Sequence, residues 1–209
     1  FEFSLVASEP EIRQPDSVTL DDRGGMWVIQ YLQYQTPAGL KPVRVDNYLR
    51  TKYDRLPEPP PRGPKGVDRI TICELSEDRK RATSFKDFVS GLNLCTGMIH
   101  GHGGLFVVQA PYLLFCPDKN RDDVPHGPPV VLLDGWGYQD THETLNSFTW
   151  GPDGWLYGLN GVFNHSHVKY PKDSPHYRED HPGWKFTCAM FRIHPRTREF
   201  QLFCEGTSN

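Results

Sequence analysis

Gly25-Met26-Trp27-Val28, Gly104-Leu105-Phe106-Val107 and Gly154-Trp155-Leu156-Tyr157 repeat one phrase: a glycine-led turn entering a short apolar and aromatic strand. Their offsets are 79 and 50 residues. A proline-rich stretch of roughly 30 residues inflates the first offset. Without it, both intervals approach the ~40–50 residues of a propeller blade. Further strand-like runs follow each phrase: 69–75 then 83–88, 112–116 then 130–133, and 189–194 then 199–204. Turns and short strands at this period predict an all-β chain of the β-propeller type. A β-sandwich with coincidental spacing is the alternative. Three to four such units do not close a ring of ordinary size. The expectation is therefore one partial propeller domain over residues 1–209.

Composition agrees with short strands joined by tight turns. The 209 residues include 19 Gly and 19 Pro, and 12% are aromatic, which suits turns and pleated surfaces better than helices. Only residues 85–94 approach a 3.6-residue period, and Gly91 interrupts them. Two stretches break the rhythm. Residues 36–67 contain Pro57-Glu58-Pro59-Pro60-Pro61-Arg62-Gly63-Pro64, which cannot be a helix or a central strand and reads as a surface insertion or linker. Residues 164–185 read as a second long loop. Long loops on a β scaffold are either decoration or part of a binding site.

Several function classes fall away. Lys+Arg 23 against Asp+Glu 26 leaves a net charge of -3, without the basic excess of a nucleic-acid footprint. No apolar run is long enough for a transmembrane helix, and Phe1-Glu2-Phe3-Ser4 shows no signal peptide. The five cysteines include no C-x-x-C pair, so there is no zinc knuckle and no c-type haem motif in this chain. Cys73, Cys116 and Cys204 sit in strand-like runs, where a thiol packs as a small apolar filler.

The densest polar constellation is Asp140-Thr141-His142-Glu143-Thr144-Leu145-Asn146, just ahead of the third phrase. In a propeller, residues leading into a blade's inner strand face the central funnel. There the His142 imidazole can take a proton from a hydroxyl, with Asp140 or Glu143 orienting its ring. A histidine bonded to a turn carbonyl is the bland alternative. His100-Gly101-His102 stands before the second phrase. Its alternate residues face one way, so it is a candidate for the funnel rim or for a metal. His165-Ser166-His167 repeats that spacing on the loop after Asn164, so Asn164 and His165 are candidates for the same funnel. Asp118, Asn120 and Asp122 alternate as Ca²⁺ ligands do, without the central Gly and later Glu of such a loop. A solvated turn accounts for the same three residues.

The run Gln139-Asp140-Thr141-His142-Glu143-Thr144-Leu145-Asn146 through Gly158 resembles the membrane-bound dehydrogenase-type N-terminal domains of planctomycetes and verrucomicrobia. So do Asp22-Arg23-Gly24-Gly25-Met26-Trp27-Val28, Gly103-Gly104-Leu105-Phe106-Val107 and the closing Glu205-Gly206-Thr207-Ser208-Asn209. Those domains are similar to soluble quinoprotein glucose/sorbosone dehydrogenases. The resemblance implies a six-bladed propeller, of which this chain holds about half, with pyrroloquinoline quinone and Ca²⁺ as cofactors. It also implies a periplasmic, extracellular or membrane-associated location and a cytochrome-type domain outside this segment. His142 matches the base that deprotonates the sugar hydroxyl while hydride passes to the quinone. It lies nine residues before Gly151, one more than is usual in those enzymes. A bulge would absorb the difference.

Two functions are thus expected. One is a sugar or polyol dehydrogenase with His142 as general base and Asp140, Asn146, His100, His102, Asn164 and His165 around a funnel. The other is a non-catalytic propeller binding a glycan or a protein partner through that funnel.

Overall fold

The computed structural model describes residues 1–206; the last three residues of the closing motif lie outside the described residues. Among the described residues there is no helix, and so none long and apolar enough to cross a membrane. In chain order, β1 (Pro15–Leu20) and β2 (Met26–Gln30) form a hairpin, and the proline-rich insertion carries β3 (Pro42–Val45) and β4 (Thr51–Tyr53). Then come β5 (Asp68–Leu75), β6 (Ala82–Leu92), β7 (Cys95–His100), β8 (Gly104–Gln109), β9 (Tyr112–Pro117) and β10 (Val130–Asp134). The chain continues with β11 (Asn146–Trp150), β12 (Leu156–Asn160), β13 (Ser166–Val168), β14 (Trp184–Phe186), β15 (Ala189–Ile193) and β16 (Phe200–Glu205).

These strands form three four-stranded antiparallel sheets, ordered β1-β2-β5-β6, β7-β8-β9-β10 and β11-β12-β15-β16, with β3-β4 and β13-β14 as separate two-stranded hairpins. Each large sheet is a meander read from its first strand outward. The first strands touch one another, β7 contacting both β1 and β11.

Alternation along β8 shows how the sheets stack. Leu105 and Val107 face the first sheet, packing with Trp27, Ile70 and Ile72. Phe106 and Val108 face the third, packing with Leu156, Phe191 and Ile193. Side chains one apart on a strand point to opposite faces, so the middle sheet is apolar on both. Each fully buried large side chain contributes about 1.5–3 kcal/mol. Cys73, Cys95 and Cys116 are buried free thiols within these layers.

Residues 85–94 mostly belong to β6, whose pairing with β5 shifts register three times, and these bulges disturb the alternation. Two sequence expectations are corrected. The glycine-led strands β2, β8 and β12 are the second strands of their sheets, because β1, β7 and β11 precede them. The stretches 36–67 and 164–185 are not simple loops, since each folds part of its length into a short hairpin.

Candidate functional site

The starts of β1, β7 and β11 come together at one end of the sheets. Asp16, Ser17, Thr96, Asn146 and Ser147 line a hollow there of about 460 Å³, closed by Tyr31, Tyr34, Thr141, His142 and Thr144. The turns within each first hairpin, around 21–25, 101–103 and 151–155, lie at the opposite end. The insertion leaves from the end of β2 and the 161–188 segment from the end of β12, so both emerge on the His142 side.

Buried polar groups fix the hollow. The Thr96 hydroxyl donates to the Leu145 carbonyl at 2.8 Å and lies 2.9 Å from the Thr144 hydroxyl, tying β7 to the segment before β11. Asp68, fully buried, accepts the Cys95 N–H at 2.8 Å and the Gln33 N–H at 2.5 Å. Loss of hydration outweighs these donors and raises its pKa to about 6. Desolvation likewise raises the pKa of Asp16, although the residue as a whole is exposed. Asn146 donates from Nδ2 to the Thr144 carbonyl at 3.1 Å, while its buried Oδ1 has no partner.

His142 stands at the mouth with its side chain 72% exposed. Its Nε2 lies 2.7 Å from the Tyr34 hydroxyl. Its Nδ1 lies 3.5 Å from an Asp140 oxygen, which also accepts the His142 backbone N–H at 3.0 Å. The loop is pinned by Asn164, fully buried, which donates to the carbonyls of Asp140 at 2.7 Å and Glu143 at 2.8 Å and accepts the Asp140 N–H at 3.1 Å. Asn164 thus belongs to the frame of the site, not to its surface. β11 pairs with β12 through a register shift between Asn146 and Thr149, with Ser147 at φ 57°, a bulge of the kind that takes up an extra residue.

Past His142 a second cavity of about 560 Å³ opens, walled by Gln139, Asp140, Thr141, His142 and Phe163 on one side and by the insertion's Tyr48, Arg50 and Tyr53 on the other. Each cavity falls within the 300–1,000 Å³ of ordinary ligand sites. His165 lies beyond this wall, its ring 6.4 Å from that of Tyr48.

His100 and His102 are elsewhere. His100 ends β7 and packs edge-on against Trp27 at 4.4 Å. Burial lowers its pKa, and its Nε2 has no partner. His102 sits on the β7–β8 turn at φ 53°, against Trp150 at 5.2 Å. The two histidines share the wall of a pocket of about 360 Å³, but each ring packs on a tryptophan of a different sheet, and neither belongs to the candidate metal-binding group among the described residues. Gly101 is required because a Cβ there would meet the Trp150 indole, whose Nε1–H donates to the His100 carbonyl at 2.8 Å.

The residues do not fit the implied cofactors. Pyrroloquinoline quinone carries three carboxyl groups. Arg50 is the cation among the described residues lining the two cavities, and it is engaged by Asp46 at 2.8 Å and by the Phe163 carbonyl at 3.1 Å. The Asp16 and Asp140 carboxyls oppose a polyanion. For Ca²⁺, Asp118, Asn120 and Asp122 lie at the other end, on the loop after β9. Asp118 accepts the N–H groups of Asp122 and Asp123 at 3.2 Å, and the Asn120 amide closes onto Asp122 at 2.9 Å. The group drawn together is Asp118, Asp122 and His126, far short of the six to eight oxygens Ca²⁺ takes.

Tyr34 is, among the site residues that the sequence reading missed, the one that meets His142 directly. It is separated from His142 by 108 residues, and nothing local in Gln33-Tyr34-Gln35 marks it.

A family model described as a domain of unknown function, DUF7133, matches residues 1–209. No curated protein and no solved structure matches the chain.

Proposed function

The chain belongs to the DUF7133 family, a domain of unknown function, and from that premise we propose that it is a propeller-type domain binding a sugar or polyol at its His142 end. The radial reading is supported by three meanders whose first strands touch one another. The binding reading rests above all on one observation. The starts of those strands meet in a hollow lined by hydroxyls and the Asn146 amide, and the Oδ1 of that amide is buried behind the wall without a donor. A buried acceptor without a partner costs about 1–3 kcal/mol, and a rotation of the Asn146 side chain toward the hollow would let a ligand hydroxyl satisfy it.

His142 supplies the second contact. With the Nδ1 proton toward Asp140, 3.5 Å away, the Nε2 lone pair would accept the Tyr34 O–H at 2.7 Å. A ligand hydroxyl displacing Tyr34 meets the same lone pair. The same arrangement favours a second reading, the sugar or polyol dehydrogenase, in which His142 removes the hydroxyl proton. Hydride would then need a quinone-class acceptor, for which the residues lining these cavities offer no seat.

Isothermal titration with a panel of aldoses and polyols tests the first reading. At least one ligand binds, and H142A weakens it at least tenfold; a panel without binding overturns the proposal. Dye reduction by the full-length protein with added quinone and Ca²⁺ tests the second.

A further inference from the structure

We infer that the His142 site takes a linear oligosaccharide of three or more units rather than a single sugar, with Tyr48 of the insertion as an aromatic platform for a neighbouring ring. This inference rests on the carbohydrate reading above and goes on to name the ligand's length and a second contact.

The first observation is the shape of the space. The hollow of about 460 Å³ at the strand starts and the cavity of about 560 Å³ under the insertion share Thr141 and His142 as a common wall. One imidazole therefore faces two ligand-sized volumes, either of which suits a small molecule alone. A single sugar leaves one of them empty, whereas a chain crossing His142 occupies both.

The second observation is how the insertion presents Tyr48. Its side chain is 75% exposed, yet the turn that carries it is tightly built. Asp46 accepts the N–H groups of Tyr48 at 2.9 Å and Arg50 at 3.0 Å, as well as the Arg50 Nε–H at 2.9 Å. The Asp46 N–H donates to the Arg50 carbonyl at 2.9 Å. Burial alone would raise the Asp46 pKa, but the Arg50 guanidinium and the backbone donors hold it well below the carboxylate range. Arg50 in turn lies over the Tyr48 ring at 4.8 Å and reaches across to the Phe163 carbonyl. The ring is thus held at the rim of the second cavity before any ligand arrives, so little side-chain freedom is lost on binding.

The third observation is chemical. The walls of the second cavity pair aromatic faces, Tyr48, Tyr53 and Phe163, with the amides of Gln35 and Gln139 and the carboxylate of Asp140. A sugar ring has one face of C–H groups, which pack on the negative face of an aromatic ring, and an edge of hydroxyls that amides and carboxylates bind. A purely apolar ligand would leave the amides unpaired.

The experiment is titration of the full chain with gluco-, malto- and xylo-series oligosaccharides of one to six units. Affinity should rise at least tenfold from the single sugar to the trisaccharide in one series. Y48A should bring the trisaccharide down to the single sugar's affinity, while Y48F keeps the gain. The exposed Val45→Thr on the same hairpin, outside the cavity lining, should change nothing and controls for folding of the insertion. Single sugars and trisaccharides binding equally would overturn this inference and leave the carbohydrate reading standing. A length gain insensitive to Y48A would overturn the assignment of Tyr48. No binding by any member would overturn both.

Discussion

The two ends of the sheets use the same residue types in opposite ways. At the end where β1, β7 and β11 begin, two long connections crowd over a polar hollow, and His142 is exposed and hydrogen-bonded on Nε2. At the other end the first hairpins turn tightly, His100 is pressed against Trp27, and the loops are clasped by charge. Arg23 donates to Asp21 at 3.0 Å, to Asp123 and to the Arg121 carbonyl at 2.9 Å, and Arg121 pairs with Asp22. These contacts join the β1–β2 turn to the loop after β9, closing one sheet on the next. The turns of the first hairpins have no chain to spare beyond closure, whereas the long connections at the His142 end can carry a site on a rigid scaffold.

The sharpest way to break this contrast is to unpin the His142 loop. Asn164→Ala removes three hydrogen bonds at a fully buried position and strands the Asp140 and Glu143 carbonyls. Buried groups left unsatisfied cost about 1–3 kcal/mol each, so a loss of about 4 kcal/mol is expected. Urea unfolding measures it, and ligand titration on the folded fraction should show binding abolished. A fully stable variant that still binds would mean that the 140–143 segment holds its shape without this frame.

How much of this was legible follows the same division. The strands β2, β8, β9, β12 and β15 stand out because their apolar residues are framed by glycine, proline and polar turns. β7 does not stand out, because Cys95-Thr96-Gly97-Met98 is buried on both faces and a strand covered on both sides does not alternate. The Asp140–Asn146 cluster was legible as a concentration of polar groups ahead of a strand. Its contacts were not, because Tyr34, Thr96 and the insertion's Tyr48 and Arg50 reach it across long separations in the chain. His100-Gly101-His102 misled by its spacing. A turn at His102 breaks the strand, so the rule of alternate faces does not apply.

A second test asks whether burial at the strand starts has the energetic consequence that the Asp68 pKa implies. An aspartate titrates near 3.9 when unfolded, and Asp68 titrates at about 6 in the fold. Between these values the native state holds a proton that the unfolded chain has released. Its contribution to stability is therefore complete below pH 4 and is lost as pH rises through 6. Asp68→Asn carries no such proton. The stability of the wild type relative to D68N, from urea unfolding at pH 4 and pH 7, should fall by about 2–3 kcal/mol over that interval. A flat difference would mean that the donors from Cys95 and Gln33 fully offset the lost hydration.

The smallest effect belongs to the other end. The Arg23 side chain is 43% exposed, although its partner Asp21 is only 6% exposed, and an ion pair open to solvent on one side contributes about 0–1 kcal/mol because water and salt screen it. Arg23→Ala should therefore cost less than about 1 kcal/mol at low salt and close to nothing at 1 M NaCl. Its ligand titration should match the wild type, since Arg23 lies at the far end of β1 from the hollow. If R23A instead cost about 3 kcal/mol regardless of salt, that would exceed what a screened surface pair supplies. The clasp would then be a structural joint between sheets. The contrast between a closing end and a binding end would in that case rest on burial at both ends, and not on connection length alone.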